Sequence, residues 1–207
     1  MKIKVLLALI FVISSFSTSI CQTQAADSTF KKYFIGSTFF VLGNFIPDDP
    51  NSPDFVQLNL GYRLTQKDVV SIELKTWKYA WPLGIPYGDS YQAEDEKYPG
   101  YIREIGFALV YQRFFWKGAY AAIHAMQAYQ IYVDDSNKKI QNGYQLFLTY
   151  RLGYQFSFFK KFFFIEPSIA ITHWPINTNV PESFNVLEKK WDNYFLFEPG
   201  FHFGFNF

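Results

Sequence analysis

The amino-acid sequence predicts an all-β protein, an antiparallel up-and-down β-barrel of about eight strands that crosses a membrane. Three observations predict it: apolar residues recur with a period of two, short and long connections alternate, and 22% of the residues are aromatic. Rings at this frequency are typical of strands that meet both interfaces of a bilayer. The charge is nearly balanced, with 19 basic and 18 acidic residues, so no basic surface for nucleic acid is indicated.

The N-terminus has the parts of a secretory signal peptide. Lys2 and Lys4 give a positive start, the apolar run VLLALIFVI follows, and small residues then predict cleavage between Cys21 and Ala26. The run is shorter than the ~20 residues of a membrane helix. We therefore predict a signal peptide over residues 1–25, a short periplasmic segment over 26–31 and the barrel over 32–207.

Cys21 is the only cysteine of the chain. It excludes an internal disulfide and a metal cluster built on thiolates. A lipid anchor at Cys21 is disfavoured because Ile20, just before it, is not a small residue. Export without an anchoring helix leaves a secreted, periplasmic or outer-membrane protein.

The period-two pattern is clearest over Tyr144–Phe158, where apolar and aromatic residues stand at the even positions and mostly polar residues at the odd ones. This stretch is longer than the ~5–6 residues of a typical globular strand. The same pattern predicts eight strands: Lys32–Asn44, Phe55–Leu64, Val69–Ala80, Tyr101–Phe115, Ala119–Val133, Tyr144–Phe158, Phe162–Trp174 and Asn193–Phe207.

The connections between these strands alternate in length. Three are tight turns, at Thr65–Asp68, Trp116–Gly118 and Lys160–Lys161. The four between them are long and polar: Phe45–Asp54, Trp81–Gly100, Asp134–Gly143 and Pro175–Asp192. Short periplasmic turns and long extracellular loops are the layout of outer-membrane barrels. A water-soluble sandwich or barrel is the alternative, but it would hardly need such long strands.

The last strand, YFLFEPGFHFGFNF, carries an aromatic ring at almost every second position. In this feature the chain resembles the small bacterial outer-membrane β-barrels of the eight-stranded OmpA-barrel and OmpX-like group, over Lys32–Phe207. The resemblance implies an outer-membrane location and an assembly signal, read by the barrel-assembly machinery, at Phe203, Phe205 and Phe207.

The two faces of the last strand are predicted to have different surroundings, lipid on one side and the barrel interior on the other. Lipid-facing positions are Phe195, Phe197, Phe201, Phe203, Phe205 and Phe207. Interior positions are Tyr194, Leu196, Glu198, Gly200, His202, Gly204 and Asn206. The pairs Glu166-Pro167 and Glu198-Pro199 each predict a local distortion, because proline removes a donor from the ladder.

The polar faces of the predicted strands supply a network inside the barrel, which is narrow enough for side chains to fill. Its members are Arg63, Glu73, Lys75, Glu104, Arg151, Glu166, Glu198 and His202. Buried charges are tolerated when they are paired, so we expect the three cations to be satisfied by the four glutamates.

Four residues are candidates for catalysis: His124, His173, Glu198 and His202. A histidine and a carboxylate can exchange a proton near neutral pH. Glu198 and His202 are four positions apart on one strand, about 13 Å, which argues against direct contact. His173 is the one histidine predicted to face outward, beside Trp174, where an anchoring role at the interface is ordinary.

The loop over Trp81–Gly100 contains the residues expected to contact an outside ligand. They are Trp81, Tyr87, Tyr91, Glu94, Asp95 and Glu96. Loops on a rigid scaffold often carry function, and the acidic run lacks the spacing of a calcium loop.

The sequence thus favours a structural or surface-recognition protein of the outer membrane over an enzyme. The alternatives are an outer-membrane enzyme that modifies lipid and a narrow channel for small solutes. No cofactor or metal is predicted. The expected partners are outer-membrane lipid, the assembly machinery and an extracellular ligand that the sequence does not identify.

Overall fold

The structure, a computed structural model, describes residues 30–46, 52–85 and 88–207. The predicted signal peptide, with Cys21, and the loop residue Tyr87 lie outside the described residues. Residues Lys31–Phe207 form one unit.

Nine strands make up most of the described chain. They are β1 (Tyr33–Thr38), β2 (Val56–Arg63), β3 (Asp68–Tyr79), β4 (Tyr101–Trp116), β5 (Ala119–Val133), β6 (Lys139–Tyr154), β7 (Phe156–Phe158), β8 (Phe163–Thr178) and β9 (Tyr194–Asn206). Short helices interrupt the connections: 3-10 turns at Phe39–Phe45 and Glu94–Glu96, and α-helices at Asp89–Gln92 and Glu182–Glu188. No helix in the described ranges is long and apolar enough to cross a membrane.

The strands form a closed antiparallel ring of eight. Each pairs with the next along the chain from β1 to β6, β6 pairs with β8, β8 with β9, and β9 with β1. The three-residue strand β7 continues the ladder of β6 on β8 in the same register. The prediction of an all-β, antiparallel chain with about eight strands is confirmed. We call the end that carries the tight turns the turn end, and the opposite end the loop end.

The first predicted strand is wrong in its second half. Lys32–Asn44 was expected to be one strand, but β1 ends at Thr38 and residues Phe39–Phe45 form a 3-10 helix. The Thr38 side chain begins that helix by accepting a hydrogen bond from the backbone N–H of Phe40. The glycine and asparagine in this stretch, Gly43 and Asn44, serve the helical turn and not the interior face of a strand.

Two other strands extend into connections that the sequence predicted as loops. β6 begins at Lys139, within the predicted loop Asp134–Gly143. β8 continues to Thr178, within the predicted loop Pro175–Asp192, which also contains the helix Glu182–Glu188. Two ladders explain these extensions. The start of β6 pairs with the end of β5, as in Val133 with Lys139, and the end of β8 pairs with β6, where Tyr144 lies opposite Thr178.

Alternate residues of each strand face different surroundings. In β2 the side chains of Gln57, Asn59 and Arg63 are buried, whereas the neighbouring Leu58 and Leu60 are exposed. In β4, Ile105, Phe107 and Leu109 are exposed, as predicted, and Glu104, Ala108 and Gln112 are buried. The ring thus has many polar side chains inside and apolar side chains outside.

A β-bulge interrupts β9 near its start. Leu196 and Phe197 together oppose the single residue Ile171 of β8. Phe197 takes a φ of 61°, a left-handed conformation that is uncommon for an aromatic residue. The predicted distortion therefore lies next to the Glu198-Pro199 pair.

The bulge reverses the predicted faces of β9 on its loop-end side. Tyr194 and Leu196 were expected inside, but each is 46% exposed. Phe195 was expected to face lipid, but it packs against the interior cluster around Trp174 and Phe147. One extra residue shifts every earlier side chain to the opposite face, since the period of a strand is two.

The second Glu-Pro pair distorts the sheet differently. Glu166 and Pro167 lie opposite the break between β6 and β7, at Gln155, and the register is the same on both sides. Here the missing N–H of proline interrupts the ladder without shifting it.

Candidate functional site

The interior of the ring contains a belt of charged side chains near its middle. The imidazole Nδ1 of His124, on β5, lies 3.3 Å from Oε2 of Glu73, on β3, with β4 between the two strands. The Arg151 guanidinium donates to Oε1 of Glu198 at 3.1 Å. The hydroxyl of Thr172 donates to the other oxygen of Glu198 at 2.6 Å.

The remaining charges of the predicted network have neutral partners. Arg63 donates to the amide oxygen of Asn206 at 3.0 Å and lies between the rings of Phe34 and Phe114. The ammonium group of Lys75 lies 5.2 Å from the ring centre of Trp77.

Two of the predicted glutamates are held by neutral donors. Glu104 accepts from the indole of Trp77 at 2.8 Å and the hydroxyl of Tyr79 at 3.2 Å. Glu166 accepts from the amides of Gln112 and Gln155, at 3.1 Å and 2.7 Å. Of the three expected cations, therefore, only Arg151 forms an ion pair with an expected glutamate in the described part of the chain.

Side chains fill the interior on the turn-end side of the belt. Val69, Phe114 and Tyr120 form a buried cluster there, against Phe34. The space left between this cluster and the belt is a cavity of about 30 Å³. A cavity of this size has room for about one water molecule.

A much larger cavity, of about 400 Å³, lies on the loop-end side of the belt. Its charged lining comes from Glu73, Lys75, Lys78, His124, Arg151, Glu198 and His202. Its apolar lining includes Met126, Phe147, Trp174 and Phe195, which also belong to or pack against the interior cluster. The expectation of a filled interior therefore needs correction in this half of the ring, which has the volume and the mixed lining of a ligand site.

Two residues that line this cavity each have a buried N–H group without a hydrogen-bond partner among the described residues. These groups are Nε of Arg151 and the indole Nε1 of Trp174. The two residues are 6% and 2% exposed. A buried donor without a partner is uncommon in proteins and calls for an explanation.

The four catalytic candidates are only partly brought together. Glu198 and His202 both line the large cavity, but no hydrogen bond joins them in the described structure. His173 stacks on Tyr150 with ring centres 5.8 Å apart and planes 8° apart, away from the belt. Among the described residues, no serine or threonine hydroxyl is hydrogen-bonded to a histidine ring, so the paired hydroxyl and imidazole of a serine–histidine site are not seen there.

The two longest connections contact each other at the loop end. Phe184, from the helix Glu182–Glu188, is buried against Tyr98 and Tyr132. The hydroxyl of Tyr98 donates to the carboxylate of Glu188. Burial raises the pKa of Glu188, and burial beside that carboxylate raises the pKa of Tyr98 well above its usual range.

The predicted contact residues of this loop differ in exposure. Tyr91 is 37% exposed and packs edge to face on Trp81, with ring centres 4.2 Å apart. Glu96 is buried, and its carboxylate accepts from Lys190 and from the indole of Trp191, so it ties the loops together and does not face outward. Glu94 and Asp95 stay at the surface, where Glu94 pairs with Lys97 at 2.8 Å. No three His, Cys, Asp or Glu side chains in the described ranges are grouped to hold a metal ion.

Sequence reasoning missed the large cavity and its tryptophan. The available signal was apolar residues on faces that are otherwise polar, such as Phe147 between Gln145 and Thr149. These interior residues cluster near the loop end, which the pattern within one strand does not show.

No protein-family model matches the chain, and no curated protein or solved structure matches it either. The resemblance to small outer-membrane barrels therefore rests on the sequence pattern alone, and functional arguments rest on the geometry described above.

Proposed function

We propose that this chain is an integral outer-membrane β-barrel protein that presents a preformed recognition surface at its loop end. The observation that carries the proposal is the apolar outer surface of the ring, to which all eight strands contribute. Exposed side chains on successive strands are Ile35, Leu58, Leu74, Leu109, Ile123, Leu152, Ile171 and Phe205. Soluble monomers rarely expose contiguous apolar patches above a few hundred Å², whereas a bilayer covers an apolar outer surface of this kind.

The closed ring supports the proposal. A strand in lipid needs a partner on both edges, because the bilayer core offers no water to unpaired N–H and C=O groups. The ring gives every long strand two neighbours, although β1 pairs with only part of β9. Its polar side chains lie inside, the reverse of the arrangement in a soluble barrel that encloses an apolar core.

Aromatic contacts at the turn end support the same location. Tyr33 packs against Tyr62 and Phe207, with ring centres 5.3 Å and 6.1 Å apart. Phe205 of β9 packs against the rings of Phe162 and Phe163, at the start of β8. A girdle of rings at a strand end is typical of the membrane interface.

The recognition surface is proposed from the ordered contacts between the long loops. The Tyr98–Glu188 hydrogen bond and the Glu96–Lys190 ion pair join the loop after β3 to the loop after β8. Preorganised loops lose less entropy on binding than mobile ones. The proposed partners are outer-membrane lipid around the ring, the barrel-assembly machinery during biogenesis, and an extracellular ligand.

The filled turn half of the ring argues against the channel alternative. A continuous water path would have to pass the residues around the 30 Å³ cavity, including Tyr120 and Phe164. The enzyme alternative has no hydroxyl paired with a histidine among the described residues to support it, so neither alternative is preferred.

A pair of arginine substitutions tests the membrane location. Leu109, which is 61% exposed, lies near the middle of β4, and Ile140, 42% exposed, lies at the loop end of β6. We expect Leu109→Arg to lower the free energy of unfolding in phospholipid vesicles by about 2–4 kcal/mol, and Ile140→Arg to lower it by about 0–1 kcal/mol. The difference arises because the cost of a charge depends on its depth in the bilayer.

The measurement is reversible urea unfolding in vesicles, followed by tryptophan fluorescence and by the shift of the folded band on unheated gels. Equal costs at the two positions would contradict the proposal. So would a mature protein that stays folded and monomeric in buffer without detergent.

A further inference from the structure

We propose that the 400 Å³ cavity is the binding site for one long-chain carboxylate, a ligand of the fatty-acid class. Its carboxylate group would meet Lys75 and Arg151 at the charged belt, and its alkyl chain would follow the apolar wall toward the loop end. The cavity volume lies within the ~300–1,000 Å³ range of small-molecule sites.

Lys75 and Arg151 bring cationic donors of the belt to the lining of the cavity. Both carboxylates of the belt already have partners, Glu73 in His124 and Glu198 in Arg151 and Thr172. Among the described residues Lys75 forms no ion pair, and its ammonium lies over the ring of Trp77. A ligand carboxylate would supply the missing counter-charge, whereas a cationic group would lie against an unpaired ammonium.

The cavity wall on the loop-end side of the belt suits an alkyl chain. Met126, Phe147, Trp174 and Phe195 line it with apolar and aromatic surface. Ala170, which pairs with Arg151, and Trp174 are four residues apart on β8, about 13 Å along the strand. The ring of Trp174 thus lies on the loop-end side of the proposed carboxylate site, along the path of the alkyl chain.

A gap in the ladder gives the chain a route from the side of the ring. β1 ends at Thr38, opposite His202, so the part of β9 from Phe201 to Tyr194 has no β1 partner. Pro199 in that part has no N–H to donate. The 3-10 helix Phe39–Phe45 covers the gap, and residues from both of its edges, Phe40 and Pro199 among them, line the cavity.

Aromatic packing covers part of the loop end. Phe184 is fully buried there against Tyr98 and Tyr132, and Tyr79 belongs to the same cluster. Entry between β9 and the 3-10 helix rests on the proposed membrane location, because only a bilayer presents alkyl chains to the side of the ring. The binding site itself does not depend on that location.

Native mass spectrometry of the full mature chain, folded in a mild detergent, tests the binding site. The probes are palmitate, hexadecanol and hexadecyltrimethylammonium, which share a chain length and differ in charge. We expect one palmitate per chain and at least tenfold weaker binding of the other two. Equal binding of palmitate and hexadecanol, or no palmitate adduct, would overturn the proposal.

Four variants locate the site. Lys75→Met should weaken palmitate binding at least tenfold, and Trp174→Phe several-fold at most, since it keeps the ring. Ala108→Leu fills the cavity and should abolish binding, whereas Ala125→Leu adds the same group to the outer face of β5 and should leave binding unchanged. Each variant is checked by its folded gel band, and palmitate binding by a folded Ala108→Leu variant equal to that of the parent chain would overturn the assignment.

The two routes are separated by loading rates in nanodiscs. The probe is cis-parinarate, whose fluorescence by energy transfer from the cavity tryptophans reports arrival, supplied either in the bilayer or from water as an albumin complex. Asn44→Ala, which loosens the 3-10 helix, should speed loading from the bilayer, and Phe184→Ala at the loop end should not. Faster loading from water in Phe184→Ala alone would overturn the lateral route. Failure of the arginine test above would reject the membrane location and leave the detergent-binding result standing.

Discussion

At the scale of single residues, the role of a charged side chain is decided by the strand beside it. Glu73 and His124 are 51 positions apart in sequence, yet they form one hydrogen-bonded pair. Glu104 forms no ion pair within the described ranges and accepts from two neutral donors, which satisfies a buried carboxylate without a cation. The alternation along a strand therefore indicates that a charged side chain faces inside, whereas the partner of that side chain depends on the register between strands.

Glu188 gives a prediction at this scale, because it is a partly buried carboxyl of the loop end. Burial raises its pKa above the ordinary value of 4.5 in the folded protein. Protonation is thus favoured by folding, so its contribution to loop-end stability is present at low pH and is lost as the pH rises through the raised pKa. Amide exchange of residues 182–188, corrected for its intrinsic pH dependence, should therefore slow as the pH falls from 8 to about 5.

Glu188→Gln should remove this pH dependence and make the segment as protected at pH 8 as the parent chain is at low pH. The glutamine keeps an acceptor for the Tyr98 hydroxyl but carries no charge. Glu182→Gln, at an exposed position of the same helix, is the matched control and should behave like the parent chain. An unchanged pH dependence in Glu188→Gln would refute the assignment.

At the scale of elements, the short first strand is the most consequential departure from a regular ring. β1 has 6 residues, whereas β9 has 13, so the part of β9 toward the loop end has no β1 residue beside it and packs against another element. The 3-10 helix supplies it through Phe39, which packs on Phe201 and Phe203 with ring centres 4.7 Å away in each case. On its other side, Phe40 packs on Phe55 at 4.8 Å.

Asn44 fixes the end of that helix and supplies the element-scale prediction. Its amide donates to the carbonyl of Phe55 at 2.7 Å and accepts from the Phe55 N–H at 2.6 Å. Asn44→Ala removes both bonds and should cost about 1–3 kcal/mol of local stability, at ~0.5–1.5 kcal/mol each. A nitroxide attached at the exposed Leu42 should become more mobile by electron paramagnetic resonance.

The control for this prediction is Asn193→Ala, because the exposed Asn193 side chain makes no hydrogen bond in the described structure. The nitroxide at Leu42 should keep the parent spectrum in that variant. An unchanged spectrum in Asn44→Ala would show that ring packing alone holds the helix.

At the scale of the whole molecule, the ring has two different ends. The turn end is filled by rings around Arg63, and the loop end has a cavity beneath ordered loops. In the proposed orientation, the loops face the outside of the cell and the turns face the periplasm.

A pair of cysteines checks this orientation. Val186 is 71% exposed in the loop after β8, and Phe159 is 78% exposed in the turn before β8. A membrane-impermeant maleimide added to intact cells should label Val186→Cys and leave Phe159→Cys unlabelled until the outer membrane is permeabilised. Labelling of Phe159→Cys alone in intact cells would reverse the orientation, and labelling of neither would place the protein elsewhere.

The sequence by itself determined the all-β class and which residues of most strands share a face. That information is local, because side chains of a strand alternate with a fixed period of two and the pattern needs no knowledge of the neighbours. It was sufficient for Ile105, Phe107 and Leu109, whose exposure agrees with the expected outer face. It failed at Phe195, where one extra residue in β9 changes the phase of the alternation.

Only the tertiary structure decided how the ring closes, which charges meet and where space is left inside. The pairing of β1 with β9 joins Phe34 to Asn206, so it depends on contacts that no local pattern records. The cavity likewise arises where Ala108, Met126 and Trp174 of different strands reach one level. Their individual identities are ordinary, and the volume between them is a property of register and of the early end of β1 at Thr38.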